Sequence, residues 1–297
     1  MRILILGANG MLGHKLTQVF SQQFKVLATV RSSTDTFARH PVLAQEHLLG
    51  NVSVENFDSI VRAIALSKPQ AVINCIGIVK QQLAAKDPLP SISVNALFPH
   101  RLAQVCQAAG IRLIHISTDC VFSGRKGNYD ESDVADAEDL YGRTKLLGEV
   151  NADGCLTLRT SIIGRELETS HGLVEWFLSQ EGKAIRGYKK AIFSGFTTNA
   201  LAEIIAQIIT NHSDLHGVWH VAAESISKFD LLSLVKEIYK LNIQIEPDEI
   251  FLCDRSLKSD RFKQATGFVP PPWPDMIEQM YQDPTLYSKL RGDYAIR

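Results

Sequence analysis

Along the first half of the chain, brief aliphatic runs alternate with longer stretches in which apolar residues recur at helical spacing. Ile3 to Leu6, Val26 to Val30, Ala71 to Ile76 and Leu113 to Ile116 are each followed by small or polar residues. Runs this short and this continuously apolar predict strands covered on both faces. Between them, Leu12 to Phe20, Phe57 to Ala65 and Ala96 to Ala109 predict helices. A strand and helix alternation of this kind predicts an α/β fold with a doubly wound parallel sheet. After about Arg159 the order loosens. A helix is expected near Leu173 to Leu178, another at Asn199 to Ile209 and a strand at Val218 to Val221, ahead of the proline-rich stretch TGFVPPPWP. The expected division is a nucleotide-binding domain over 1–158 with a returning segment about 192–222, and a smaller α/β substrate-binding region over 159–191 and 223–297.

Composition narrows the partners. With 297 residues, 45% of them hydrophobic, the chain can bury a large core. A formal net charge of -1 supplies no field that would draw it to a nucleic acid polymer or an anionic membrane. A small molecule is the expected partner. Cys75, Cys106, Cys120, Cys155 and Cys253 are widely separated, with no zinc-ribbon or redox spacing, which fits a reducing compartment. The apolar run before Gly7 is too short for the core of a secretion signal, and no stretch approaches a membrane span. The expected location is the cytoplasm.

Gly7-x-x-Gly10-x-x-Gly13 stands where the first strand hands over to the first helix. Glycines at that spacing permit a tight turn, let a pyrophosphate approach the backbone and let helix and strand pack closely. This places a Rossmann-type dinucleotide site at Gly7, Asn9, Gly10, Met11, Leu12 and Gly13. At the end of the second strand, in KVLATVRSS, an acidic residue for ribose hydroxyls is replaced by Arg31 and Ser32. A guanidinium there can clamp a 2′-phosphate, so NADP is expected over NAD. Asn51 and Val52 are expected beside the adenine, and Cys75, Ile76 and Gly77 beside the nicotinamide ribose.

Candidate chemistry lies in IHISTDCVFSG and DLYGRTKLLGE. Tyr141 and Lys145, four apart, fall on one face of a predicted helix. Of the tyrosines, Tyr141 alone has a lysine four residues on, and it follows a Ser-Thr pair at a strand's end. A phenol is a weak acid at neutral pH; a neighbouring ammonium favours its ionised form and so its role as proton donor.

Together with Ser117-Thr118-Asp119, Val121-Phe122-x-Gly124 and Leu158-Arg159-Thr160-Ser161, these motifs resemble the extended short-chain dehydrogenases, and closely the dTDP-4-dehydrorhamnose reductase branch. The resemblance spans nearly the whole chain. It implies reduction of a 4-keto sugar nucleotide with NADPH, with Tyr141 as acid, Thr118 holding the carbonyl oxygen, and Lys145 binding the nicotinamide ribose and relaying a proton. Asn95 matches a helical asparagine often found in the family. Sugar 4,6-dehydratases of similar fold follow the Thr with Asp-Glu, whereas here Asp119 is followed by Cys120. That favours net reduction over elimination. Cys120 also departs from the tyrosine common in the reductase branch.

For the nucleotide sugar, the resemblance implies contacts from Asp119, Cys120, Val121, Ser194, Phe196 and Thr197, with Arg255 and Arg261 available to a diphosphate. Reductases or epimerases of other nucleotide sugars, and a non-catalytic NADP-binding subunit like the β subunit of methionine adenosyltransferase, share these motifs. A homodimer and magnesium dependence occur in the branch. No metal site is expected: His212, His216 and His220 are spaced at four, but Gly217 breaks the helix that would align them. The acidic stretch YDESDVADAEDL reads as a solvated loop over the cleft.

Overall fold

The computed structural model describes residues 1–37, 43 and 47–287; the end of the expected substrate region, 288–297, lies outside them. In chain order, β1 (Arg2–Leu6), α1 (Met11–Phe20), β2 (Lys25–Thr29), β3 (Leu48–Leu49), α2 (Phe57–Ser67), β4 (Ala71–Asn74), α3 (Pro88–Ser91), α4 (Phe98–Ala108), β5 (Arg112–Thr118), α5 (Leu140–Leu147) and β6 (Cys155–Thr160) form the first half. The second half adds β7 (Ile162–Ile163), α6 (Leu173–Leu178), β8 (Ala184–Phe193), β9 (Phe196–Thr197), α7 (Thr198–Asn211), β10 (Gly217–His220), β11 (Ile226–Ser227), α8 (Lys228–Tyr239), β12 (Gln244–Asp254), α9 (Asp260–Thr266) and α10 (Trp273–Tyr281).

The main sheet has 7 strands in the order β10-β6-β5-β4-β1-β2-β3. Every pairing in it is parallel. Successive residues feed opposite apolar layers, which is why the strands read as unbroken aliphatic runs. Ile3, Ile5, Ile73, Ile114 and Leu156 join residues of α1 and α7 in one layer. Leu4, Leu6, Val72 and Leu113 join residues of α2 and α4 in the other. The order reverses between β1 and β4, and at such a switch point the strand ends open a crevice for ligands.

Two boundaries differ from expectation for local reasons. The strand expected to run to Ile76 stops at Asn74, because the Asn74 side chain accepts the Ile76 N–H at 3.1 Å and turns the chain out of the sheet. The helix expected from Ala96 starts as α4 at Phe98, preceded by a π-helical turn over Ile92–Leu97. Asn95 lies in that turn and bonds Ile78 at both backbone groups, 2.9 and 3.0 Å.

The second half returns to the main sheet through β10, which lies beside β6. It also builds a separate 3-stranded sheet, β11-β8-β12. The chain after α10 reaches back to α1, where Lys15 and Asp283 form a buried ion pair at 2.6 Å.

Candidate active site

The glycine-rich turn fits a dinucleotide on its own geometry. Gly7 has φ +84, a conformation that favours glycine. A Cβ on Gly13 would stand 2.1 Å from the Gly7 carbonyl oxygen, so helix and turn touch only without a side chain there. Gly10 caps α1 with no side chain to occupy the first-turn N–H groups, which leaves them for an anion. Leu12 is buried in the core. The Asn9 amide instead donates to Glu168 at 2.9 Å. Met11 abuts Gly172, where a Cβ would come within 2.5 Å of its Cε. The segment 164–172 thus crosses in front of the turn.

Arg31 and Ser32 are exposed just past β2. The Asn51 N–H donates to the Ser32 carbonyl at 3.0 Å, which brings the adenine-side residues together, with Val52 buried beneath. Cys75, Ile76 and Gly77 are half-buried beyond β4. The Cys75 thiol is pushed up to about 12 by burial, partly opposed by Lys145, and stays protonated.

Thr118, Tyr141 and Lys145 converge. Thr118 ends β5 and Tyr141 lies in the first turn of α5, which Asp139 caps by accepting the Gly142 N–H at 2.8 Å. Gly142 is needed because a Cβ there would lie 2.2 Å from the Cys120 carbonyl oxygen. The Thr118 hydroxyl hydrogen-bonds the Tyr141 phenol, accepts from the Cys120 N–H at 3.1 Å and donates to Asp119 at 3.1 Å. Lys145 is buried and donates to the Ile116 carbonyl at 2.7 Å.

Burial governs the proton affinities of this group. It raises Tyr141 well above an ordinary phenol, outweighing the help Thr118 gives to the ionised form. The phenol therefore stays protonated in the protein alone, the form that the expected role of proton donor needs. Burial also lowers Lys145 to about 8, against the pull of Glu149. It raises Asp119, with Arg255 opposing. Cys120 is pushed up to about 12, first by burial and then by Asp119, so it offers a small neutral thiol.

The expected substrate residues divide. Asp119 and Cys120 lie with Thr118, and Arg255 is held near them by donating Nε to the Phe122 carbonyl at 2.8 Å. Val121 is 0% exposed in a core cluster with Phe122 and Tyr129. Ser194, Phe196 and Thr197 do not line an open cleft. The Ser194 hydroxyl accepts the Leu257 N–H at 2.9 Å, Phe196 packs on Phe268, and Thr197 caps α7 by accepting from Ala200 at 3.3 Å. Each is buried and serves the fold, because the segment crosses under Leu257 before entering a helix. Arg261 is also placed elsewhere: it stacks 3.7 Å over Trp219 and donates to the Val218 carbonyl on the sheet's edge strand. The three spaced histidines are separated too, with His212 ending α7, His216 exposed and His220 buried in β10.

Sequence reasoning passed over Lys80 and Glu149. Lys80 pairs with Asp139 at 2.6 Å beside the start of α5. Glu149 follows Lys145 by four residues, the same spacing that drew attention to Tyr141 and Lys145.

Comparison with known proteins agrees with this geometry. A family model described as RmlD substrate binding domain matches residues 1–285. A probable low-salt glycan biosynthesis reductase of Haloferax volcanii is 27% identical over 236 residues, 76% of this chain and 75% of that protein. The dTDP-4-dehydrorhamnose reductase of Aggregatibacter actinomycetemcomitans is 24% identical over 92% of this chain and 95% of its own. Methionine adenosyltransferase 2 subunit beta of Danio rerio is 24% identical over 89% and 88%. Among solved structures, the Bacillus anthracis dTDP-4-dehydrorhamnose reductase in complex with NADP superposes with a TM-score of 0.77 at 22% identity, covering 94% of this chain and 98% of that one. With its parallel sheet, glycine cradle and Thr-Tyr-Lys group, the chain belongs to the RmlD family of sugar-nucleotide reductases, NAD(P)-dependent oxidoreductases of the short-chain dehydrogenase type.

Proposed function

We propose that this protein uses NADPH to reduce the 4-keto group of a nucleotide-activated 6-deoxy sugar, most simply dTDP-4-dehydro-L-rhamnose to dTDP-L-rhamnose for surface polysaccharide. The observation that carries this reading is the group formed by buried Thr118 and Lys145 with half-buried Tyr141 at the end of β5. The nucleotide cofactor, when bound, supplies the hydride. Tyr141, kept protonated by burial, gives its proton to the oxygen as charge develops there. Thr118 steadies that oxygen by a hydrogen bond, and the Lys145 ammonium favours the phenolate left behind. Asp119 without a second acid beside it supports net reduction.

Gly7, Gly10 and Gly13 hold the pyrophosphate, and exposed Arg31 with Ser32 favours the 2′-phosphate. Asp119, Cys120 and Arg255 meet the sugar, while Ser194, Phe196 and Thr197 support the pocket from beneath and Arg261 takes no part. In this reading 1–158 with 192–222 hold the nucleotide, and the remainder shapes the sugar site. Free cysteines fit a cytoplasmic enzyme, and among the described residues no helix is long and apolar enough to cross a membrane. Similarity to a methionine adenosyltransferase β subunit supports a second reading, an NADP-binding regulatory subunit.

The test is loss of NADPH absorbance with dTDP-, UDP- and GDP-linked 4-keto sugars, NADH serving as control. Turnover is expected, with Tyr141→Phe lowering kcat by about 10²- to 10⁴-fold while binding NADPH normally. Full turnover by Tyr141→Phe overturns the assignment of the acid. Binding without turnover on any sugar favours the regulatory subunit.

A further inference from the structure

The end of α5 is fastened to consecutive residues of β5. The Lys145 ammonium donates to the Ile116 carbonyl at 2.7 Å, and Glu149, just past the helix, accepts the Ser117 hydroxyl at 2.7 Å. Thr118 follows next, bonded to Tyr141 one turn before Lys145. Tyr141, Lys145 and Glu149 therefore form one stripe, each member tied to its own residue of the strand end. Arg159 of β6 grips Glu149 with two bonds of 2.8 Å, and both side chains are buried, 9% and 6% exposed. Behind Arg159, His220 lies at 3.2 Å with its other ring nitrogen 3.1 Å from the Tyr129 carbonyl.

We propose that Glu149 is a positioning residue for the reduction: its carboxylate, pinned by Ser117 and Arg159 beside the strand carbonyl that holds Lys145, acts on the ammonium one turn after Tyr141, and Arg159 sets how much of that charge Lys145 feels. The inference rests on the reductase reading for its catalytic consequence. Lys145 faces Cys75 from the end of β4, His115 from β5 and Glu149 just past the end of α5, with Tyr141 one turn earlier on the helix. Burial keeps Cys75 and Tyr141 protonated and holds His115 well below an ordinary imidazole, so these are neutral. His220, also lowered by burial, is neutral in the same range. Glu149 is then the anion that favours the ammonium, which burial alone disfavours.

The decisive experiment needs no substrate. Urea unfolding of the full chain and of Lys145→Met, from pH 6 to 11, shows the pH at which the stability difference between them begins to change. That pH reports the Lys145 proton in the fold. In the Glu149→Gln background it is expected to fall by about one pH unit, since a carboxylate one turn away and its unpaired arginine both act downward. In the Arg159→Gln background it is expected to rise, because Glu149 is no longer countered. A merely structural brace moves stability without moving this pH. The alkaline limit of kcat with NADPH and a 4-keto sugar is expected to move in the same directions. Unmoved values in both backgrounds overturn the inference, and either variant alone decides it if the other fails to fold. Moved stability profiles in a chain that turns over no sugar support the control of Lys145 and overturn the reductase reading instead.

Discussion

Replacing Lys145 by methionine is expected to make the protein more stable while removing its activity. The side chain is 6% exposed, and burial lowers its pKa from 10.5 to about 8. A drop of that size corresponds to about 3 kcal/mol against the charged form. Methionine matches the chain length and escapes this penalty, but it gives up the 2.7 Å bond to the Ile116 carbonyl, worth about 1 kcal/mol. The net gain is about 2 kcal/mol at neutral pH, or about 4 °C in Tm for a domain of this size. Its pH dependence has a fixed sign. Between about 8 and 10.5 the unfolded chain binds the lysine proton and the folded chain does not, so wild-type stability climbs with pH across that window. The advantage of Lys145→Met is therefore full below about pH 8 and gone by about pH 10.5. Urea denaturation at pH 7 and at pH 10.5 measures both ends. A variant no more stable than wild type at pH 7, or a difference that does not change with pH, refutes the reasoning.

Arg31→Ala is expected to reduce the preference for NADPH over NADH by about tenfold or more, read as the ratio of Kd values, since a forked guanidinium is lost from the 2′-phosphate. An unchanged ratio removes Arg31 from that role. Gly13→Ala puts a methyl group 2.1 Å from the Gly7 carbonyl. Thermal unfolding should show a loss of about 3 kcal/mol or more, with NADPH affinity falling alongside; a neutral substitution refutes the close-packing argument. Asp283→Ala leaves Lys15, 1% exposed, with a buried unpaired charge, and a loss of about 3–5 kcal/mol is expected in urea unfolding. Burial works against the Asp283 carboxylate, but its bond to Lys15, that lysine's charge and the bonds from Thr285 and Asn199 together outweigh this and hold its pKa below the ordinary 3.8. That contribution is present above the ordinary carboxylate range and disappears as pH falls through the lowered value.

The parts legible in the sequence are those where one physical demand fixed the residue type. Strands covered on both faces had to be continuous aliphatic runs, so β1, β2, β4 and β5 stood out. The turn after β1 excludes side chains at Gly7 and Gly13, and the spacing showed it. β8 and β12 were passed over because much of each strand lies in solvent, which removes the apolar signal. Ser194, Phe196 and Thr197 were singled out by motif alone, and a motif records that residues matter together without saying which hold the segment down, as these three do through Leu257, Phe268 and Ala200. Arg261 was open to two uses in the sequence, and its stacking on the Trp219 indole depends on a neighbour that only the fold brings to it. Glu149 was visible in spacing, but its significance depends on Ser117 and Arg159, which only the fold brings to it.

The same burial accounts for the reactivity of the site and for its stability cost. In water, Tyr141 would be an ordinary phenol and Lys145 a fully charged amine. In the pocket the first holds its proton more tightly and the second is poised near pH 8. In the proposed reduction, a ketone oxygen gaining negative charge is the event that makes proton release from Tyr141 favourable, so the acid acts when charge develops and keeps its proton before that. Lys145 then has to be charged to stabilise the phenolate, which is why an anion belongs near it. A bare carboxylate in that interior would itself be costly, and the fork of Arg159 with the Ser117 hydroxyl offsets that cost. The polar row from Tyr141 to Arg159 is thus a connected set, and in the proposed reductase removing any member changes the charge balance that the acid depends on, even where that member lies a layer away from Tyr141.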